Sequence, residues 1–201
     1  MPKKAIGVLI GLLLVLGVAI FALVKTGPGA NRSVEVGTPL IGGAFELTDH
    51  TGKKVTDKDY LGKYMLVFFG FTYCPDICPT ELQHIAGALD IIGEKRRKQI
   101  TPLFVTIDPE RDTRELMAAY VENFHPDIVG LVGTSEQVKK IGKAYRVYYK
   151  KVIDKDSPDG YTMDHSALVF LMDKKGKYVR HFSYGTNSQK MAEGLIKVMD
   201  K

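Results

Sequence analysis

The sequence predicts an α/β fold in which a central mixed sheet is flanked by helices. Two continuous apolar runs, residues 64–71 and 103–107, have the composition of strands that are buried on both faces. Segments with helical periodicity alternate with these runs, and a hairpin followed by a helix closes the chain. Strands that alternate with helices indicate a sheet with helices packed against it, so we expect an α/β sandwich.

The remaining elements follow in order along the chain. Turn residues at 49–52 separate two short strands, which predicts a hairpin. The further strands are expected at residues 45–47, 54–56, 128–132, 167–172 and 177–182, and the helices at 79–92, 112–124, 134–145 and 187–199. Thr134 and Gln137 have the spacing of a capping box, which marks a helix start. This order of elements is that of the thioredoxin fold.

The N-terminal segment differs from the rest of the chain. Residues 5–24 contain no charged or amide side chain, and twenty helical residues span about 30 Å, enough to cross a bilayer core. The apolar region of a cleaved secretory signal is usually only about 7–15 residues long. Residues 1–25 are therefore predicted to be a transmembrane anchor rather than a cleaved signal, residues 26–37 a flexible tether, and residues 38–201 the folded domain.

Basic residues before the span predict its orientation. Lys3 and Lys4 are expected to stay in the cytoplasm, which sends the domain across the membrane, although Lys25 and Arg32 on the other flank weaken the bias. An Arg- and Ser-rich presequence does not precede the span, which favours a bacterial inner membrane and a periplasmic domain. In that oxidising compartment two neighbouring thiols form a disulfide unless they are reduced or bound to a metal.

The positive charge of the chain does not indicate a nucleic-acid partner. The net charge is +5, but no basic stripe is interleaved with aromatic residues. The run of basic residues at 95–98 follows Gly93 at a predicted helix end, where cations interact favourably with the helix dipole. We expect no nucleic-acid binding.

The two cysteines, Cys74 and Cys78, stand between a predicted strand and a predicted helix. Pro79 disfavours a helical conformation at the preceding residue and suits the first position of a helix, so Cys78 is predicted to be the N-cap. Cys74 then lies on the loop that leaves the strand. The positive end of the helix dipole favours thiolates at this place, which predicts an exposed, reactive thiol pair.

The thiol pair needs another ligand if it holds a metal. Thiolates suit Cu(I) and zinc, but a closed zinc site normally has four protein ligands. His165 stands just before the predicted strand 167–172, whose start approaches the cysteine loop in a thioredoxin-like sheet. A histidine at a strand start is often structural, but here it replaces the proline that thioredoxins have, so we predict that His165 is the third ligand. The other histidines are assigned to a turn, a helix flank, a helix end and the surface: His50, His84, His125 and His181.

These motifs resemble those of the Sco/SenC family of membrane-anchored copper proteins, which help to assemble the binuclear copper centre of cytochrome c oxidase. The resemblance is carried by the anchor, by FGFTYCPDICP, by TIDPERDT (106–113) and by DHS around His165, and it covers the whole predicted domain. It implies a thioredoxin-like fold and one copper ion, as Cu(I) or Cu(II), bound by Cys74, Cys78 and His165. The implied partners are the copper-bearing oxidase subunit, an upstream thiol reductant, a copper donor and the membrane.

Four residues near the predicted ligands have two readings each. Asp164 either orients the loop and adjusts the local charge or simply forms a turn. Asp108, Glu110 and Arg111 follow the strand 103–107 and are expected on the same face as the cysteines. There they either hold the internal structure, with Arg111 paired inside the domain, or dock a partner.

Two functions from different classes remain open at this point. In the first, the protein is a copper chaperone and not an enzyme. In the second, it is a thiol–disulfide oxidoreductase that keeps the cysteines of an oxidase subunit reduced, and Cys74 and Cys78 form a redox-active disulfide. The three-residue spacing and the histidine in place of proline favour copper binding. A peroxidase is a weaker third interpretation, because the surroundings of Cys74 lack its pattern.

Overall fold

The computed structural model describes residues 16–17, 40–157 and 159–200 of the chain. The chain divides into two units, Met1–Thr38 and Pro39–Lys201, and the fold described below is that of the second. The predicted anchor (1–25) and tether (26–37) lie outside the described residues, apart from residues 16–17. In the part of the chain that is described, no helix has both the length and the apolar character needed to span a membrane.

The second unit alternates strands with helices. In chain order, the strands are β1 (Glu46–Asp49), β2 (Lys54–Thr56), β3 (Tyr64–Gly70), β4 (Ile100–Thr106), β5 (Val129–Val132), β6 (Tyr149–Ile153), β7 (Tyr161–His165), β8 (Val169–Met172) and β9 (Tyr178–Phe182). The helices are α1 (Ile77–Arg97), α2 (Arg114–Glu122), α3 (Ser135–Tyr145) and α4 (Ser188–Met199), and a 3-10 turn, Asp57–Tyr60, follows β2.

The core of the unit is a seven-stranded sheet in the order β2-β1-β5-β4-β3-β8-β9. Strands β3, β4 and β5 are parallel to one another. Strand β1 pairs antiparallel with β5, and β8 pairs antiparallel with β3 and β9. This arrangement confirms the mixed central sheet that the sequence predicts.

Helices cover both faces of this sheet, as neighbouring residues of β3 show. Successive side chains of a strand point to opposite faces. The ring of Phe68 stacks on Phe104, which contacts Tyr120 of α2, whereas the ring of Phe69 packs against Tyr145 of α3. The rings of Phe68, Phe69, Phe104 and Tyr145 are almost fully buried, so the predicted two-sided burial of β3 is confirmed.

The start of α1 differs from the prediction. Asp76 is the N-cap and the helix begins at Ile77, so Cys78 is the second helical residue and not the N-cap. Pro79 is tolerated there because the first N–H groups of a helix have no intrahelical partner. The first helical hydrogen bond is donated one residue later, from the Thr80 N–H to the Asp76 carbonyl at 3.1 Å.

The structure also contains a two-stranded sheet that the sequence does not predict. Strands β6 and β7 pair antiparallel with each other and place Tyr149 opposite His165. His165 is therefore the last residue of its own strand, β7, and does not merely precede β8 as predicted. The outer strand, β6, is largely exposed, which explains why its sequence lacks the apolar pattern of the other strands.

Candidate metal centre

The two cysteines lie where the chain leaves β3 and enters α1. Cys78 is fully buried, and Cys74 is 9% exposed. The backbone N–H of Cys78 donates a hydrogen bond to Sγ of Cys74 at 3.3 Å. Both cysteines are free thiols and both are buried, so the prediction of an exposed thiol pair is wrong. The first turn of α1 encloses the Cys78 sulfur, and the loop before it leaves Cys74 slightly accessible.

His165 reaches the cysteines from the end of β7. Its Nε2 atom lies 3.7 Å from Sγ of Cys78, and its ring packs edge-on against Phe71. Its Nδ1 atom is 3.2 Å from the carbonyl oxygen of Ser166. Because a carbonyl oxygen only accepts hydrogen bonds, this contact places a proton on Nδ1 and leaves Nε2 available as a ligand atom.

The structure thus brings together the three residues that the sequence singles out. The Sγ atoms of Cys74 and Cys78 and a ring nitrogen of His165 all lie within 4.8 Å of one another, and this is the one such group among the described residues. Two thiolates and one imidazole are a donor set that suits Cu(I) better than it suits a closed structural zinc site. The residues present therefore fit a copper ion.

The two thiols differ in acidity. The side chain of Cys78 lowers the pKa of Cys74 to about 4, against the opposing effect of burial and with smaller contributions from His165 and from backbone N–H groups. Burial raises the pKa of Cys78 well above its ordinary value, and Cys74 adds to this effect. The pair consequently holds one thiolate and one thiol in the neutral pH range, with the negative charge on the more exposed sulfur.

A cavity of about 280 Å³ opens beside this group. Its wall is formed by apolar side chains and two carboxylates: Phe71, Pro75, Ile77, Met163, Asp76 and Asp164. Asp164 is exposed and stands at the opening, so the acidic side chain predicted from the sequence does lie next to the site. The cavity gives an approaching molecule access to Cys74 and His165, which also line it.

The segment that follows β4 holds one buried ion pair and one exposed pair. Nε of Arg111 donates to Oδ2 of Asp108 at 2.5 Å, and both side chains are almost fully buried. The internal pairing expected for Arg111 is thus present. Glu110 instead forms an ion pair with Lys151 at the surface, where such a contact contributes little to stability.

Asp112 holds the cysteine loop in place, a role that the sequence does not reveal. It is buried and accepts hydrogen bonds from the hydroxyl groups of Thr72 and Thr106, both at 2.6 Å. Burial raises the pKa of Asp112 despite these bonds. The N-cap of α2 is Thr113 and not Asp112. An aspartate shortly before a helix is compatible both with capping the helix and with holding a neighbouring loop, so the sequence alone does not distinguish these two roles.

A thioredoxin-like domain with two thiols and one imidazole at the end of a buried strand belongs to the class of thiolate metal-binding or redox proteins. The sequence matches the SCO1/SenC family over residues 34–200. It is 46% identical to the mitochondrial SCO1 homolog of Homo sapiens over 161 residues, which are 80% of this chain and 52% of the human protein. The chain belongs to the SCO1/SenC family, and it spans about half the length of this human relative.

Two similar solved structures contain copper. ScoI of Arabidopsis thaliana with copper bound is 40% identical, with a TM-score of 0.76 over 80% of this chain and 98% of that one. ScoI of Bradyrhizobium japonicum with copper bound is 44% identical, with a TM-score of 0.71 over 78% of this chain and 98% of that one. A more distant structure, BsSco, at 17% identity and a TM-score of 0.63 over 80% of this chain and 94% of that one, shares the fold and is described as a member of the Sco family of cytochrome c oxidase assembly proteins.

Proposed function

We propose that this chain is a membrane-anchored copper chaperone for cytochrome c oxidase. It holds one copper ion through Cys74, Cys78 and His165 and passes the ion to the copper-bearing subunit of the oxidase. The observation that carries the proposal is the convergence of three donor atoms within 4.8 Å. The copper-bound Sco structures support copper over zinc as the metal.

The surroundings of the three residues suit storage followed by release. The Cys78 sulfur is fully enclosed, whereas Cys74 and His165 line an open cavity. A ligand group of the oxidase subunit therefore has access to the metal from the Cys74 side while Cys78 still holds it. Copper exchange between thiolate sites needs such a stepwise replacement of ligands, because a buried metal with all its ligands lost is strongly destabilised.

The second candidate function is that of a thiol–disulfide oxidoreductase. The observation that favours it is the low pKa of Cys74 beside the high pKa of Cys78, since dithiol exchange uses one accessible thiolate and one buried resolving thiol. Either function needs the cysteines in the reduced state in an oxidising compartment. We therefore also propose an upstream thiol reductant and a copper donor as partners.

For the location, we propose a bacterial inner membrane with the domain in the periplasm and an anchor at residues 5–24. The supports are the uninterrupted apolar length of that segment and the two lysines before it. An anchored protein stays with the membrane fraction after alkaline carbonate extraction and leaves it only in detergent. Release by carbonate, or a mature N-terminus near Asn31, contradicts the anchor.

Replacement of His165 by Ala separates the two candidate functions. The variant loses one metal ligand but keeps both thiols and the N-terminus of α1. If copper delivery is the task, cells that carry His165→Ala assemble an oxidase with severely reduced copper content, as Cys74→Ser cells do. Metal-binding sites typically lose about 10–100-fold in affinity even when an outer-shell partner is removed, so the loss of a ligand has at least that effect.

The experiment needs a folded variant and a matched histidine. His181→Ala is the control, because His181 is exposed and contacts Tyr178 rather than the cysteines; it is expected to leave the copper content of the oxidase unchanged. The His165→Ala protein has to keep the wild-type circular dichroism spectrum and thermal midpoint. Near-normal oxidase copper content in cells with this folded variant overturns the chaperone function and supports the oxidoreductase.

A further inference from the structure

We propose that Arg111 is a positioning residue for the copper site, because its guanidinium group clamps the cysteine loop to the strand that carries His165. The expected consequence of the clamp, better retention of copper, rests on the function proposed above. The clamp itself is a property of the metal-free protein. It predicts that the separation of the thiols from the imidazole is set by a residue that is not a ligand.

The guanidinium group lies between the two elements that bear the ligands. Its Cζ atom is 3.7 Å from the centre of the Tyr161 ring and 4.7 Å from the centre of the Tyr73 ring. Tyr73 directly precedes Cys74, and Tyr161 is the first residue of β7, the strand that ends at His165. One cation therefore makes cation–π contacts with the chain beside a thiol ligand and with the strand of the imidazole ligand.

Hydrogen bonds hold the guanidinium group in this position. Asp108, which is 3% exposed, accepts from Nε of Arg111 and also from the hydroxyl group of Tyr161 at 3.1 Å. Nη1 of Arg111 donates to the carbonyl oxygen of Tyr161 at 3.1 Å. A lysine cannot replace these contacts, because its ammonium group lacks the planar fork that both stacks on a ring and donates in two directions.

The remaining contacts of the guanidinium group are consistent with a stacking role. Its Nη2 atom is buried and has no hydrogen-bond partner among the described residues. Asp159 lies 3.7 Å from Nη1 at the exposed end. The third aromatic ring near the group is that of Phe71, at 5.7 Å, and this ring packs in turn against His165.

The strand of His165 depends on side-chain contacts because of its place in the fold. Within the described residues, β6 and β7 form a sheet of their own, separate from the seven-stranded sheet. The backbone hydrogen bonds that order the central sheet therefore do not hold β7 to it. Lys151 of β6 approaches the Tyr161 ring at 3.8 Å and pairs at the surface with Glu110 of the segment after β4, but neither contact reaches the cysteine loop.

The test compares four full-length proteins solubilised in detergent: wild type, Arg111→Met, Tyr73→Leu and Arg114→Met. Arg111→Met keeps the apolar stem and removes the guanidinium group. Tyr73→Leu removes one of the two stacked rings at a half-exposed position. It leaves the pair between Arg111 and Asp108 intact, so it tests the clamp even if Arg111→Met does not fold. Arg114→Met is the control, because Arg114 is exposed and pairs with Glu115.

Three measurements are made on each protein. The first is hydrogen exchange in the metal-free state, where we expect faster exchange at residues 72–76 and 161–165 in Arg111→Met and Tyr73→Leu, with α4 unchanged. The second is the rate at which Cu(I) passes to a chromogenic chelator, and the third is the imidazole scattering in the copper X-ray absorption spectrum. We expect release about 10-fold faster or more, the effect typical of outer-shell partners, with weaker imidazole scattering, and no change in Arg114→Met.

The outcomes distinguish this inference from the proposed function. If the folded Arg111→Met and Tyr73→Leu proteins show wild-type exchange at both segments and a wild-type release rate, Arg111 does not position the site. If Arg111→Met does not fold, Tyr73→Leu decides by the same measurements. If the wild-type protein takes up no Cu(I), the chaperone function fails, and hydrogen exchange in the metal-free proteins still supports or overturns the clamp.

Discussion

The Nε2 atom of His165 lies 3.7 Å from Sγ of Cys78, although two helices, α2 and α3, and three strands, β4, β5 and β6, separate the two residues along the chain. The fold closes this separation by placing the start of α1 and the end of β7 beside each other. The imidazole is oriented by the carbonyl oxygen of Ser166, and the sulfur is buried in the first turn of α1. Three donor atoms are thereby held together before any metal binds, which reduces the reorganisation that binding requires.

Copper binding is expected to depend on the redox state of the cysteines. A disulfide between Cys74 and Cys78 consumes both thiolates and leaves His165 without a soft partner. The reduced full-length protein in detergent is expected to bind one Cu(I) per chain, and the oxidised protein much less. Metal analysis after exposure to Cu(I) and removal of excess metal measures this. Equal copper content in the two states contradicts the prediction, and Cys74→Ser reports the level without a thiol pair.

Cys74 is expected to react with alkylating agents at mildly acidic pH. Because its pKa is lowered to about 4, its thiolate persists as the pH falls, whereas an ordinary thiol, with a pKa of about 8.5, is protonated. Iodoacetamide at about pH 5 should therefore label Cys74 and spare Cys78, as peptide mass spectrometry of the reduced, metal-free protein would show. An alkylation rate of Cys74 that rises only near the ordinary thiol pKa contradicts the lowered pKa of Cys74.

The same titration has an internal control. The side chain of Cys78 is the largest cause of the low pKa of Cys74. In Cys78→Ala this contribution is lost, while burial still opposes ionisation, so the midpoint of the alkylation profile of Cys74 is expected to move upward. A midpoint that stays in place shows that the Cys78 side chain does not stabilise the thiolate.

The elements that the sequence predicts well are those whose signals are local. The apolar run of β3 and the cap of α3 are examples. Thr134 accepts from the Gln137 N–H at 3.3 Å, because the side-chain oxygen of the residue before a helix is well placed to accept from its first turn. Such features need no knowledge of the rest of the fold.

The elements that the sequence does not predict depend on distant contacts. Strand β6 is exposed along most of its length, so it has little apolar pattern, and its partner β7 is stabilised by Arg111 and Asp108 acting on Tyr161. The N-cap assignment of Cys78 is wrong for a related reason. A residue before proline has only a modest preference for extended backbone. Here Cys78 is helical despite that preference, and its N–H donates a hydrogen bond to the Cys74 sulfur.

The sequence predicts which residues form the candidate site, but not which residues hold them in position. Cys74, Cys78 and His165 are reactive residue types at recognisable positions. Asp112 and Arg111, by contrast, act by closing contacts with threonine and tyrosine side chains from other elements. No spacing in the sequence indicates which of several charged residues in one loop will turn inward.

Gly70→Ala is expected to disturb the site by steric contact. A Cβ atom at this position, the last residue of β3, would lie 2.6 Å from Sγ of Cys78 and 2.7 Å from a ring carbon of Phe104. Both neighbours are fully buried, and overpacking of a core typically costs about 1–3 kcal/mol. The free energy of unfolding in urea is expected to fall by this amount and Cu(I) binding to weaken. Gly43→Ala, where the nearest atom is 3.4 Å away, is the matched control, and an equal loss in both variants argues against a specific contact.

Glu81→Gln is expected to change how stability depends on pH. Glu81 is fully buried in α1 and accepts a hydrogen bond from the Gly185 N–H at 2.7 Å. Burial raises its pKa, against the smaller opposing effects of that hydrogen bond and of His84. Because the folded protein holds the proton more tightly than the unfolded chain, the contribution of Glu81 to stability is fully present below its ordinary pKa and is lost as the pH rises through the raised pKa.

Glutamine keeps an acceptor for the Gly185 N–H and removes the titration. Relative to wild type, Glu81→Gln should therefore be more stable at about pH 7 than at about pH 4, by about 1.4 kcal/mol for each unit by which the pKa of Glu81 is raised. Thermal unfolding of both proteins at the two pH values measures the difference. Glu94→Gln is the control, since Glu94 is exposed and pairs with Lys98, and it is expected to show no comparable dependence. A stability difference between wild type and Glu81→Gln that does not change with pH would mean that Glu81 titrates normally in the folded protein.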